Sequence, residues 1–223
     1  MVPTEPVELC TTRGRWGGAR LLTTSVSGLW TTAWLEQNAQ AAGRATLFTD
    51  ARTANTFAPT PVSDAELSEI WDLARWAPTS ANTQPLRILY VRPGPRRDRL
   101  VPHMNEGNRD KTASAPAVAV LAIDTRFHEH IPTLLPFRPE LKDVFATNEA
   151  MRTTSGMFNT TLQAGYFILS IPAHGFAAGP MSGFDAAGID ADSSRTPACV
   201  ASSSSISATR APTPGSNDFH AFA

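Results

Sequence analysis

An α+β fold is predicted for this chain by three features of its 223 residues. A composition of 42% hydrophobic and 17% charged residues suits one globular unit with enough chain to bury a sizeable core. Helical and strand-like periodicities alternate through the middle of the chain. The run Ala117 to Ile123 is continuously apolar, as a strand covered on both faces requires.

The elements follow in order. Ser63-Asp64-Ala65-Glu66 has capping-box spacing, so the Ser63 side chain can accept from the third N–H while Glu66 reaches back. Leu67, Ile70, Trp71 and Ala74 then recur at helical spacing, and Pro78 ends the helix. Leu86 to Val91 reads as a strand closed by Pro93-Gly94. Ala117 to Ile123 is the next strand. From Asn148 to about Ser170 a long helix is expected, with Met151, Phe158, Leu162 and Phe167 on one face and an end near Pro172 and Gly175.

Charge divides the chain into three. Residues 46–192 carry 29 of its 39 charged residues, whereas residues 1–45 carry 7 and residues 193–223 carry 3. Only the middle segment therefore reads as a folded sequence. In the first segment Arg13, Arg15 and Arg20 precede Leu21-Leu22, but Thr23, Thr24, Ser25, Ser27, Thr31 and Thr32 interrupt any apolar stretch of signal-peptide length. A disordered or non-native leader is the expectation for residues 1–45. No run approaches the roughly 20 apolar residues of a membrane span.

Nineteen Lys+Arg against 20 Asp+Glu give a net charge of −1, so no global field favours nucleic acid or anionic lipid. The two cysteines, Cys10 and Cys199, are too few for a disulfide framework or a cysteine zinc site. Both lie in the flanks, so the cytoplasmic assignment rests on the middle segment instead. His128-Glu129-His130 has i, i+2 spacing, which diverges on a helix, and reads as a surface or substrate-pocket group without metal. His103 and His174 read as structural. Trp71 and Trp76 read as core or dimer interface.

Three stretches could carry chemistry. Pro78-Thr79-Ser80-Ala81-Asn82-Thr83-Gln84-Pro85 is dense in hydroxyl and amide side chains between two prolines. It is either an ordinary polar turn or a stiff site for a polyhydroxy chain or phosphate. Asn108-Arg109-Asp110-Lys111 is either a solvated charge cluster or part of a site, and Lys111 is one of only two lysines. Gly179-Pro180-Met181-Ser182-Gly183-Phe184-Asp185 reads as a rigid, glycine-bracketed loop able to bring backbone N–H groups close to a flat ligand.

With Asp50-Ala51-Arg52-Thr53 ahead of them, these stretches resemble the FMN-dependent nitroreductase family in order and spacing, over about residues 46–192. Phe127-His128-Glu129-His130-Ile131-Pro132-Thr133-Leu134 and the full Gly-Pro-Met-Ser-Gly-Phe-Asp run resemble its malonic semialdehyde reductase branch, also labelled NADH dehydrogenase/NAD(P)H nitroreductase. The resemblance implies a central, mostly antiparallel sheet flanked by helices, in an obligate-dimer type of fold. It implies FMN as cofactor, NADH or NADPH as hydride donor, and ping-pong transfer through flavin N5 to a small electron-poor acceptor. No catalytic side chain and no metal are needed, since the cofactor carries the chemistry.

The same resemblance assigns residues. Arg52 would pair with the FMN phosphate, with Asn55 standing where other members place a hydroxyl. Pro78, Thr79, Ser80 and Asn82 would line the flavin from the partner subunit. Asn108 and Lys111 would face its pyrimidine side, and Pro180, Met181, Ser182 and Gly183 its other face.

Residues 193–223 depart from the family pattern. Members continue with an aromatic pair, a buried strand and an arm that embraces the other subunit, whereas this chain has Ser193-Ser194-Arg195-Thr196 and Ser202 to Thr209. Serine codons of the TCN type, read one base earlier, encode Phe, Leu, Ile or Val. In that frame Ser193 to Thr196 can yield F-F-P-D and Ser202 to Thr209 V-I-L-V-N-L-G-Y. A single-base frameshift near Asp192 is therefore expected, leaving a disordered tail without the family strand and arm and weakening the dimer. The alternative to an active oxidoreductase is a frameshifted, inactive member with weak or no flavin binding.

Overall fold

The computed structural model describes residues 37–192 and, as backbone, residues 199–210. The chain divides into two units, Met1–Gln40 and Ala41–Ala223. Residues 37–45 of the expected leader are described and are helical, and residues 1–36 lie outside the described residues.

The second unit contains a four-stranded sheet, β1 (Leu86–Val91), β2 (Ala117–Asp124), β3 (Phe176–Met181) and β4 (Cys199–Arg210), in the order β1-β2-β4-β3. All three pairings are antiparallel, as the expected architecture requires. Among the described residues it is accompanied by α1 (Asp64–Ala74), α2 (Pro95–Leu100), α3 (Glu106–Ser114), α4 (Ile131–Leu134), α5 (Leu141–Thr147), α6 (Glu149–Ala173) and α7 (Ala186–Asp192).

Strand β2 explains its own composition. Successive side chains point to opposite faces of a strand, so Ala117, Ala119 and Leu121 join a core with Leu67, Ile70, Ala164, Phe167 and Ile171 of α1 and α6. Val118 and Val120 pack on the other face with Leu100, Met104, Met181 and Ile189. Helices on both faces leave no polar position in the run.

The start of α1 is a complete capping box: the Glu66 N–H donates to Ser63 Oγ, and the Ser63 N–H donates to Glu66 Oε2 at 2.7 Å. The helix ends at Ala74, before Pro78, with Leu67, Ile70 and Ala74 buried. Trp71 packs against the core, whereas Trp76 is 74% exposed beneath the Arg75 guanidinium.

Helix α6 differs from the sequence expectation in length and in face. It starts at the predicted place, where Asn148 Oδ1 accepts the Met151 N–H at 3.0 Å, and runs three residues past Ser170, taking Pro172 into its last turn. Of the predicted apolar face only Phe167 is buried; Met151, Phe158 and Leu162 are exposed. The buried stripe is instead Gly156, Asn159, Thr160, Gln163, Ala164, Phe167, Ser170 and Ile171. Small and amide side chains turn inward, because a neighbouring sheet and loop supply close packing and hydrogen-bond partners.

The backbone of Cys199–Arg210 forms β4, between β2 and β3. Ladder hydrogen bonds use backbone groups that serine carries as fully as valine does. The expected arm lies outside the described residues. Among the described residues no helix is long and apolar enough to cross a membrane.

Candidate functional site

The predicted site residues gather in two places. The first is built where the segment after Arg52, helix α3 and the end of β3 converge. The Ala54 N–H donates to Ala178 O at 2.9 Å, which lays that segment along β3. The approach is tight: a Cβ at Gly179 would stand 2.6 Å from Ala54 O, 2.7 Å from Lys111 Cε and 3.0 Å from Phe57 Cζ. Gly179, Pro180 and Met181 therefore belong to a strand, correcting the expectation of a loop through Asp185. The loop proper begins at Ser182.

That loop is pinned to the start of α3. Gly183 O accepts both the Asn105 N–H at 3.0 Å and Asn108 Nδ2 at 3.0 Å. His103 O accepts the Asp185 N–H at 2.7 Å. A Cβ at Gly183 would lie 2.9 Å from each of the two asparagine amides. Asn108 thus acts on the loop backbone, and Asn105 is a partner the sequence reading missed. At the far end of α7, Asp192 pairs with Arg99 and His103, whose hydrogen bonds hold its carboxyl below the usual carboxylate range.

Lys111 is the chemically distinctive group here. It is 9% exposed, and burial pushes its pKa down. Its Nζ has one hydrogen bond among the described residues, at 3.4 Å to the neutral Oδ1 of Asn55, and no ion pair. Buried ammonium groups are ordinarily paired with anions. Arg52 is exposed, and its Nη1 donates to Thr49 O and Ala51 O, at 2.7 and 2.8 Å. A guanidinium held by two backbone carbonyls and a desolvated ammonium are donors suited to an anionic, electron-accepting ligand. FMN, with its phosphate and electron-poor ring, fits that set.

The second place is the turn Pro78 to Gln84. Ala81, Asn82 and Gln84 all have positive φ, at 53°, 48° and 44°. Left-handed non-glycine residues cost about 1–3 kcal/mol each and persist only where surroundings over-determine them. Here the Gln84 N–H donates to Thr79 Oγ1 at 3.2 Å, and the Ser80 N–H to Asn159 Oδ1 at 2.7 Å. Asn82 Nδ2 donates to Leu134 O of α4 at 2.8 Å. Among the described residues no hydrogen bond joins the two places.

The His128-Glu129-His130 stretch forms a 3-10 turn. His130 Nε2 lies 3.5 Å from Asp124, which also binds Arg87 at 2.6 Å. His128 is buried, its Nδ1 has no hydrogen-bond partner among the described residues, and desolvation pushes its pKa down. His174 approaches Glu69 at 3.8 Å. Among the described residues no group of three or more His, Cys, Asp or Glu is placed to hold a metal ion.

Sequence reading overlooked Asn105, Asn159 and Gln163. A faint signal existed for the last two, since both share the helical stripe of Gly156, Ala164, Phe167 and Ile171.

The family model for the Nitroreductase family matches residues 49–194. The chain belongs to the nitroreductase family. A protein of Streptomyces coelicolor named "Putative NADH dehydrogenase/NAD(P)H nitroreductase" is 64% identical to this family member over 146 residues, covering 66% of this chain and 72% of the relative. A protein of the same name from Streptomyces griseus is 50% identical over 157 residues, covering 69% and 80%. A structure solved in complex with FMN from Exiguobacterium sibiricum superposes with a TM-score of 0.67 at 18% identity, covering 76% of this chain and 89% of that one. At that identity the likeness bears on the fold, and it agrees with the antiparallel sheet and flanking helices of this nitroreductase-family chain.

Proposed function

We propose that this chain is an NAD(P)H-dependent FMN oxidoreductase acting on a small electron-poor acceptor: a 3-oxopropanoate-type semialdehyde, a nitro compound or a quinone. The observation that carries the reading is Lys111, a buried cation beside β3 whose one hydrogen bond among the described residues is to a neutral amide. FMN, when bound, supplies hydride acceptance and donation at N5. The protein supplies binding and electrostatics.

Arg52 presents the guanidinium suited to bidentate phosphate contact, with Asn55 next to it as a polar neighbour. Lys111 offers a positive charge that water screens little, which favours negative charge on a reduced ring. Asn108 holds the Gly183 backbone, so that Pro180, Met181, Ser182 and Gly183 present a fixed edge. Pro78, Thr79, Ser80 and Asn82 serve a flavin held by the partner subunit, which is consistent with the lack of any hydrogen bond between the two places among the described residues. The dimer reading is supported by Met151, Phe158, Leu162 and Tyr166, an exposed apolar row along α6. A cytoplasmic location accords with the same reading.

The purified protein is expected to be yellow, or to become so on adding FMN, to bleach under NADH or NADPH, and to sediment at twice the chain mass. A colourless monomer that takes up no FMN overturns the proposal.

A second reading is favoured by one observation: the family match stops at residue 194, where the serine-rich stretch begins. Under it residues 193–223 are read out of frame and the chain is an inactive member. Resequencing the gene distinguishes the two, because a shifted frame would encode an apolar strand there.

A further inference from the structure

Two amide side chains on the buried face of α6 have polar reach across the core. Asn159 is 0% exposed and Gln163 is 1% exposed. Neither lies among the residues assigned to the flavin.

We propose that Asn159 and Gln163 are positioning residues that hold the Thr79–Gln84 turn in its left-handed conformation for the flavin, an inference that rests on the oxidoreductase reading. Gln163 Oε1 accepts the Leu86 N–H at 2.9 Å, and its Nε2 donates to Gln84 Oε1 at 2.6 Å. Gln84 Nε2 donates to Asn82 Oδ1 at 2.9 Å, and Asn82 Nδ2 donates to Leu134 O at 2.8 Å. The relay starts at a backbone N–H, which can only donate, and ends at a backbone carbonyl, which can only accept. These two ends fix the orientation of all three amides between them.

Asn159 acts at the other side of the turn. Its Oδ1 accepts the Ser80 N–H at 2.7 Å, while its Nδ2 donates to Ser155 O at 2.8 Å and Ser155 Oγ at 3.2 Å, so it cannot flip without losing both. The turn is thus gripped at Ser80, Asn82 and Gln84, flanking or including each residue of positive φ. Asn159 and Gln163 are buried and hydrogen-bonded at both their oxygen and their nitrogen, so they favour one geometry, whereas Asn82 at the end of the relay is exposed.

The relay has a chemical polarity that substitution can reverse. In Gln163→Glu a protonated carboxyl still donates its O–H to Gln84 Oε1, whereas the ionised form faces that oxygen with a second acceptor. Burial raises the pKa of such a carboxyl, bringing the change into the accessible pH range.

The experiment compares Asn159→Leu, Gln163→Leu and Gln163→Glu with Thr160→Val, a buried polar change on the same helix whose hydroxyl makes no hydrogen bond among the described residues. Amide hydrogen exchange of residues 79–86 is followed in flavin-free protein, and FMN affinity by titration. Exchange in the turn is expected to accelerate, and FMN Kd to rise, by about tenfold in the two leucine variants and not in Thr160→Val. FMN affinity of Gln163→Glu is expected to fall with rising pH more steeply than that of the unaltered protein, whose Lys111 and FMN phosphate set the shared background. Unchanged exchange in all three variants, or a pH profile of Gln163→Glu that parallels the unaltered protein, overturns the proposal. If the unaltered protein takes no FMN, the oxidoreductase reading fails and the exchange data still judge the positioning role.

Discussion

Gly179→Ala is expected to destabilise the protein by about 1–3 kcal/mol and to weaken FMN binding about tenfold or more, although it adds a single methyl group. The added Cβ would lie 2.6 Å from Ala54 O, a backbone atom that cannot swing aside. Relief requires the segment after Arg52 to leave β3, which strains the Ala54 N–H bond to Ala178 O. The same methyl would stand 2.7 Å from Lys111 Cε, so the one buried cation of the site moves as well. Gly107→Ala is the matching control. It lies on the same helix as Lys111, and a Cβ there meets nothing within 4 Å. In a helix the change should be neutral or stabilising by up to about 1 kcal/mol. Urea unfolding and FMN titration of both variants check the pair; equal behaviour would refute the close-packing argument.

Arg97→Met is expected to cost about 3–5 kcal/mol of stability. Arg97 is 2% exposed, and burial pushes its pKa down to about 10. Its Nη1 donates to Thr112 O and to Ala115 O, the latter at 2.8 Å, and its Nη2 donates to Val91 O. One guanidinium therefore joins the end of β1, the last turn of α3 and the approach to β2. Methionine fills similar volume and removes the guanidinium's hydrogen bonds to three carbonyls. Arg97→Lys should recover only part of the loss, since a compact ammonium lacks the planar fork that spans three acceptors. Chemical denaturation of the two variants measures this, and a loss below about 1 kcal/mol in Arg97→Met contradicts it. Because α3 carries Asn108 and Lys111, flavin affinity should fall along with stability.

The legible parts of the fold were those whose cause is local. Ser63 and Glu66 announced a capping box that acts within four residues. The β2 run announced burial on both faces, because a two-residue alternation leaves no polar position when both sides are covered. The stripe of α6 was misread for the converse reason. Asn159 and Gln163 count as polar in any periodicity argument, yet the N–H groups they satisfy belong to Ser80 and Leu86, 79 and 77 residues away. Met151, Phe158 and Leu162 count as apolar, yet they lie on the face turned from the sheet.

By itself the sequence determined the capping box of α1, the apolar run of β2 and the start of α6, and its four motifs resembled the nitroreductase family, whose model matches residues 49–194. Tertiary structure alone decided that Gly179 to Met181 form a strand, that Lys111 is desolvated, and that Asn108 grips Gly183 rather than standing free. Caps, turns and apolar runs act through neighbours in the chain, so they can be read in order. Burial and polar pairing depend on groups that become neighbours only when the sheet is assembled.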